Sequence, residues 1–220
     1  MTDATGTRCA AIVGPYLSGK TTLMESLLFA SDGVDRKGSI KEGNTVGDSS
    51  PEARSRQMST EVSAASTNFL GERWTFIDCP GSIELWQETV NALMVADIAI
   101  IVYEPSSERA LSLAPLFKVL DEYNIPHVLF LNKMDAINQP VLGVLQALKE
   151  VAVRPLVLRQ IPIRDGDDIA GYVDLVNGRA YKYRPGEASE RIEMPDSMQD
   201  EYDSARTEMV EALSDFDDTL

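Results

Sequence analysis

Cysteine is scarce in these 220 residues. Cys9 and Cys79 are too few for a disulfide framework or a cysteine metal cluster. Both stand in apolar, strand-like stretches, which predicts buried, reduced, inert thiols. Long hydrophobic runs are also missing: the longest, "IAIIVY" at 98–103, is far too short to cross a bilayer. The start, "MTDATGTRCAAIVG", has neither the basic opening nor the apolar core of a secretory signal. Basic residues are outnumbered by acidic ones, 20 to 35, for a net charge of −15 and a pI near 4.4. That balance opposes a broad phosphate-binding face, so sequence-specific DNA binding is not expected, although a local basic patch stays open. Internal repeats and low-complexity tracts are absent. A cytoplasmic, monomeric protein is the expectation.

The composition that remains is that of a globular chain, 44% hydrophobic and 25% charged. Short strand-like runs alternate with helical ones. "RCAAIV" (8–13) predicts a strand, and "KTTLMESLLFA" a helix with Leu23, Leu27 and Leu28 on one face. Residues 32–57 lose periodicity and predict a long functional loop or disorder. A hairpin over 61–78 turning at Gly71–Glu72 follows. Beyond it come a helix near 82–95, strand 98–103, a helix near 107–123, strand 127–132 and a helix near 140–151. This alternation predicts an α/β fold: three layers around a mostly parallel sheet. Near Arg154–Pro155 the pattern changes to a small β unit. A final helix runs from about Asp196 to Leu220, with Met198, Tyr202, Ala205, Met209, Leu213 and Phe216 as its packing stripe. The expected organisation is a core over 1–154 and a second part over 155–220.

Three motifs fall at the carboxyl ends of predicted strands. "GPYLSGKT", Gly14 to Thr21, matches the phosphate-loop pattern between a strand and a helix. Gly14 and Gly19 let successive N–H groups curl inward, and Ser18, Thr21 and Thr22 complete the loop and helix start. Lys20 would reach the β- and γ-phosphates, and the Thr21 hydroxyl is a hard ligand suited to Mg2+. Asp78-Cys-Pro-Gly81 ends the next parallel strand. Asp78 is a candidate Mg2+ carboxylate, and Gly81 offers an unobstructed N–H to a γ-phosphate. "LNKMD" supplies Asn132, Lys133 and Asp135. The Asp135 carboxylate can accept from guanine's ring N–H and exocyclic amine, which adenine lacks. The Lys133 stem can cover the base, and Asn132 can brace the base segment against the phosphate loop. Together the motifs imply guanine-nucleotide binding, GTP or GDP with Mg2+, and disfavour a P-loop ATPase or kinase.

With these residues in view, the chain resembles the GTPase domain of translation elongation factor G and its elongation factor G-like paralogues. "GKTTLMESLLFASDGVDRKGSIKEGNTVGD" is similar to the family's phosphate loop, first helix and the start of its switch I loop. "FIDCPGSIEL" occupies its second switch, and "VLFLNKMD" its guanine-reading strand. "RPLVLRQIPIRDGDDIAGYVDLVNGRAYKY" and "EYDSARTEMVEALSDFDDTL" resemble parts of the subdomain inserted in that family's domain. The resemblance implies an N-terminal part of a longer ribosomal GTPase, with the ribosome as partner. A later strand carrying a guanine-supporting Ser-Ala motif is expected in the family. The Ser-Ala pairs here, at 63–64 and 204–205, stand elsewhere, which implies weaker nucleotide binding by these residues alone.

Three departures from the family pattern bear on chemistry. The family's metal-binding switch I threonine falls on Ser59. Leu17 replaces an aspartate of the phosphate loop. Ser82 replaces the histidine that orients the attacking water, so Lys20, Gly81 and Ser82 are the candidate catalytic residues and Thr21, Ser59 and Asp78 the candidate metal ligands. Glu84 and Gln87 lie just beyond as substitutes for that histidine. The only histidine, His127, opens its strand on the side away from the expected nucleotide. Two readings therefore stay open: a slow GTPase accelerated by the ribosome, and a GTP-binding switch with little or no hydrolysis.

Overall fold

A computed structural model describes residues 7–136, 141–166 and 168–214. It divides into two compact units: the chain up to Glu104 together with Arg109–Asn132, and Pro105–Glu108 together with the chain from Lys133 onward.

The first unit is a five-stranded sheet in the order β2-β3-β1-β4-β5. Its strands are β1 (Arg8–Val13), β2 (Ser63–Phe69), β3 (Glu72–Asp78), β4 (Ile98–Tyr103) and β5 (His127–Leu131). β1 lies parallel to both β3 and β4, and β4 is parallel to β5; only β2 is antiparallel, to β3. Ala10 and Ile12 of β1 pack with Met24 and Leu28 of helix α1 (Lys20–Ala30), while Ala11 and Val13, on the opposite side of the pleat, are also sealed. Both faces of the central strand are thus covered, as its unbroken apolar run requires. Of the predicted apolar face of α1, Leu28 is buried, but Leu23 and Leu27 are only partly so; Met24 and, unexpectedly, Glu25 take the interior positions.

The predicted strands and first helix match the structure closely. The 61–78 hairpin turns through Leu70 and Gly71, both with positive φ (51° and 81°), the backbone of a tight turn matched to strand twist. The 32–57 stretch is less featureless than its composition implied. Residues 38–48 fold into a compact loop, and helix α2 spans Pro51–Arg56. Ser50 caps that helix, accepting from the Ala53 N–H at 3.2 Å, and Pro51 presets the first helical φ. The helix expected near 82–95 is a 3-10 turn, Ile83–Leu85, followed by α3 (Trp86–Leu93). That near 107–123 splits likewise into a 3-10 stretch, Ser107–Leu113, and α4 (Ala114–Glu122), which carries Pro115 in its first turn, where no helical N–H is needed. Cys79 is buried and burial pushes its thiol up to about 12, whereas Cys9 is only partly buried.

The second unit carries α5 (Val141–Lys149) and a four-stranded antiparallel sheet. Its strands are β6 (Gln160–Asp165), β7 (Asp168–Asp174), β8 (Arg179–Lys182) and β9 (Glu190–Ile192). Ile161, Ile163, Val173, Leu175 and Ala180 form a core with Met198, Ala205 and Met209 of the closing helical segment, a 3-10 turn plus α6 (Gln199–Ser214). The predicted stripe is therefore a packing face, though Leu213 is exposed; Phe216 and the last residues lie outside the described ones. Among the described residues no helix is long and apolar enough to cross a membrane.

Asp174 organises the turn between β7 and β8. Its Oδ1 accepts from the N–H groups of Val176 (2.9 Å) and Asn177 (3.2 Å) and from Arg159, and its Oδ2 accepts from the Asn177 amide (3.1 Å). Burial pushes this carboxyl up, but Arg159 and the two backbone donors outweigh it and hold it below its ordinary value. A depressed carboxyl stabilises the fold above its unfolded value and loses that contribution as the pH falls through its folded value. Asp174→Ala is expected to cost about 2–3 kcal/mol at neutral pH. Urea midpoints measured from pH 7 to pH 3 should show the gap between variant and parent closing at the acid end.

Candidate functional site

The phosphate-loop motif occupies the turn from β1 into α1. Gly14 has φ 139°, and a Cβ there would stand 2.2 Å from the carbonyl oxygen of Val102 on β4. Gly19, at φ 98°, precedes the first helical residue, and a Cβ on it would meet the Asn132 side-chain amide at 2.3 Å. Only glycine fits at either place. Leu17, which stands where the resembling family carries an aspartate, is also left-handed (φ 61°).

Lys20, Thr21 and Ser18 are buried at the helix start, while Thr22 is exposed. The Lys20 ammonium donates to the carbonyls of Gly14 (3.1 Å) and Pro15 (2.9 Å). Burial lowers its pKa, opposed chiefly by Asp78. The Thr21 hydroxyl donates to Asp78 Oδ2 at 2.6 Å and lies 3.2 Å from the Ser59 hydroxyl. Thr21, Ser59 and Asp78, the three predicted metal ligands, therefore meet at one point, brought there by α1, the loop after α2, and the end of β3. Asp78 is 1% exposed, and its second oxygen, Oδ1, has no partner among the described residues. Burial pushes its carboxyl up to about 6, against the pull of Thr21 and Lys20, so it remains largely ionised at neutral pH.

Gly81 packs directly on the phosphate loop. A Cβ there would lie 2.4 Å from the Lys20 amine and 2.8 Å from both Pro15 O and Tyr16 N. Ser82 follows in extended conformation and is partly buried. Glu84 is exposed, and the Gln87 amide is turned along α3 to Asn91 at 3.0 Å. His127 opens β5, at the far end of the strand from Asn132. Its ring contacts Phe117 and lies 3.3 Å from the Ile125 carbonyl.

Asn132 closes β5 and its amide donates to the Ser18 carbonyl at 2.8 Å, bracing the phosphate loop. Lys133 (φ 54°) and Asp135 continue the chain, with Asp135 exposed in a 3-10 turn, Met134–Ala136.

Two buried acids escaped the sequence reading. Asp48 is 5% exposed, lines the crevice with Lys20, Thr21, Ser59 and Gly81, and has no hydrogen-bond partner for either oxygen among the described residues. Glu25 is 1% exposed one helical turn beyond Thr21. Asp48 sits in an aperiodic Gly-Asp-Ser-Ser stretch that reads as ordinary loop. A charge among the apolar residues of α1 was the one available signal for Glu25.

The donor set fits a hydrated divalent cation and phosphates. Hydroxyls and carboxylates are hard oxygen ligands, Asp78 keeps one buried oxygen without a partner among the described residues, and the buried acids Asp78 and Asp48 both act on the buried Lys20 ammonium. The Ser18 hydroxyl, also buried and without a partner among the described residues, and the N–H groups of the α1 start suit an anion. Thr21, Ser59 and Asp78 would hold Mg2+, and Lys20 with the loop would hold phosphates. The crevice has about 50 Å³ of free space, with Lys20 and Gly81 in its lining.

A glycine-bound loop between a central strand and a helix, with an acid closing the adjacent parallel strand, defines a P-loop nucleotide-binding domain. The elongation factor Tu GTP binding domain profile matches residues 6–213, and the chain belongs to that family. It is 55% identical over 213 residues to an elongation factor G-like protein of Synechocystis sp., covering 97% of this chain and 32% of that protein. It is 28% identical over 206 residues to elongation factor G of Thermotoga petrophila, covering 92% of this chain and 30% of that protein. A crystal structure of a Thermus thermophilus protein superposes with a TM-score of 0.88 at 28% identity, covering 96% of this chain and 31% of that one. The chain spans about a third of the length of the relatives it matches.

Gly14→Ala is expected to cost about 2–5 kcal/mol, from a Cβ driven into the β4 backbone plus an unfavourable φ. Gly71→Ala, whose added Cβ meets nothing within 4 Å, should lose only the αL penalty of about 1–2 kcal/mol. Denaturant melts of the two variants test the contrast.

Proposed function

We propose that this domain is the nucleotide-binding part of an elongation factor G-like translational GTPase, binding Mg-GTP and hydrolysing it slowly unless the ribosome assists. In this reading residues 1–154 are the nucleotide-binding core and 155–220 open an inserted subdomain. The observation that carries the proposal is the meeting of Thr21, Ser59 and Asp78 beside Lys20, contributed by three separated segments that a γ-phosphate and its metal would draw together.

Each residue then has a role. The Lys20 ammonium binds and neutralises phosphate oxygens once released from the Gly14 and Pro15 carbonyls. The Gly81 N–H meets a γ-phosphate oxygen. Asn132 braces the phosphate loop through the Ser18 carbonyl, and Lys133 and Asp135 select guanine. Mg2+, when bound, supplies charge neutralisation on the phosphate oxygens. Ser82 can hydrogen-bond a water, but a hydroxyl is too weak a base and too short a side chain to orient it as an imidazole does. In this structure Gln87 is hydrogen-bonded to Asn91 and Glu84 is exposed, which favours neither as a substitute without remodelling of the helix start.

A second reading, a switch that holds GTP without turnover, is favoured by Ser82 alone. GTP turnover by the full-length protein, with and without ribosomes, separates the two. Slow basal turnover, raised at least tenfold by ribosomes, is the expected outcome; Ser82→His should raise it further. Negligible turnover on ribosomes that histidine restores would establish the switch instead.

A further inference from the structure

Glu25 is a buried acid that the proposed chemistry does not use. It is 1% exposed, and among the described residues it has no cationic partner. A carboxylate sealed without a counter-ion is costly unless its oxygens are hydrogen-bonded. Here both are, and both to the same loop: Oε2 accepts from the Gly38 N–H at 2.7 Å, and Oε1 accepts from the Val46 N–H. The two donors bracket the compact 38–48 loop at its ends. That loop is built to receive them. A Cβ on Gly38 would stand 2.7 Å from Glu25 Oε2, from Asn44 O and from Thr45 Cα, so the backbone crosses itself where the carboxylate reaches it. Asn44 ties the loop internally, its side-chain oxygen accepting from the Ser39 N–H at 2.7 Å, and the Thr45 hydroxyl donates to the Gly47 carbonyl at 3.0 Å.

The placement on α1 gives this a consequence. Residues four apart on a helix share a face, so Thr21 and Glu25 stand one above the other. Thr21 meets the far part of the switch segment through Ser59, and Glu25 holds its near part. Asp48, two residues beyond Val46, ends the clamped stretch inside the crevice. We propose that Glu25 is a positioning residue: its carboxylate clamps residues 38–46 to α1 so that Asp48 and Ser59 are delivered to the γ-phosphate side of the nucleotide site. The proposal rests on the Mg-GTP reading above. Through the clamp, part of the ordering entropy of the switch segment is met before nucleotide arrives, which favours GTP, whose γ-phosphate uses that segment, over GDP, which does not.

Glu25→Gln keeps shape and one acceptor but turns an amide toward one of the two N–H donors. In the full-length protein this variant is expected to lose hydrogen-exchange protection at residues 38–46 and to bind a non-hydrolysable GTP analogue with Mg2+ about tenfold more weakly. GDP affinity should stay within about twofold, because the phosphate loop and Asn132 are untouched. Gly38→Ala, which strikes the same clamp from the loop side, should reproduce the split, and the double variant should add little to either. Equal loss of GTP-analogue and GDP affinity, or a melting point lowered together with both, would make Glu25 a general structural support and overturn the proposal. Unchanged analogue affinity would overturn it as well. If the unaltered protein fails to bind the analogue, the Mg-GTP reading fails and takes the clamp's function with it; the exchange measurement tells these cases apart.

Discussion

Parallel pairing of β1 with both β3 and β4 is the constraint on which the site depends. Parallel strands end on the same edge, so Gly14 after β1, Asp78 at the end of β3 and Asn132 after β5 emerge side by side without any one of them having to find the others. The pairing is tight enough to dictate residues: the chain leaving β1 passes so close to Val102 of β4 that no side chain fits at Gly14. The phosphate loop is thus the place where the central strand leaves a sheet that holds it from both sides. Its shape follows from the sheet before any ligand is considered.

Charge burial adds a second layer to this frame. Asp78, Asp48 and Glu25 are all buried, the first two beside the buried ammonium of Lys20 and the third one turn further along α1. The three acids differ in how their oxygens are met. Glu25 has both oxygens hydrogen-bonded by backbone, Asp78 has one paired with Thr21, and Asp48 has neither paired among the described residues. Satisfied groups build structure, and unsatisfied ones hold free energy in reserve for a ligand. On that criterion Glu25 is held by the 38–46 loop, while Asp78 and Asp48 keep oxygens open to a ligand.

Much of the fold was legible because its signals are local. β1, β4 and α1 could be read from apolar runs bounded by glycine and charge, and the hairpin from Gly71 between two β-rich stretches, although its turn falls at Leu70–Gly71 rather than Gly71–Glu72. The phosphate-loop glycines and Lys20 were legible for the same reason, since their chemistry depends on spacing within eight residues. Residues 38–48 were not. Their order comes from Glu25, thirteen or more positions away, and from a glycine whose necessity appears only where the backbone crosses itself. Asp48 escaped notice likewise: a loop aspartate is ordinary until its burial is known. Non-local satisfaction of backbone groups leaves no periodicity in the sequence, so a functional loop could be expected there but its internal order could not be read.

Ser82 takes its meaning from this setting. Around it the local geometry is closely defined: Gly14 lies against β4, Asn132 braces Ser18, and Thr21 meets both Ser59 and Asp78. The residue that would position water is a short hydroxyl in extended backbone, next to a glycine packed on the loop. On the proposed reading, binding and turnover are decoupled: the groups around Lys20 would meet a γ-phosphate, while its hydrolysis would depend on one weakly furnished position. In phosphoryl transfer, where catalysis is mostly positioning, that imbalance would lengthen the lifetime of a GTP-bound state.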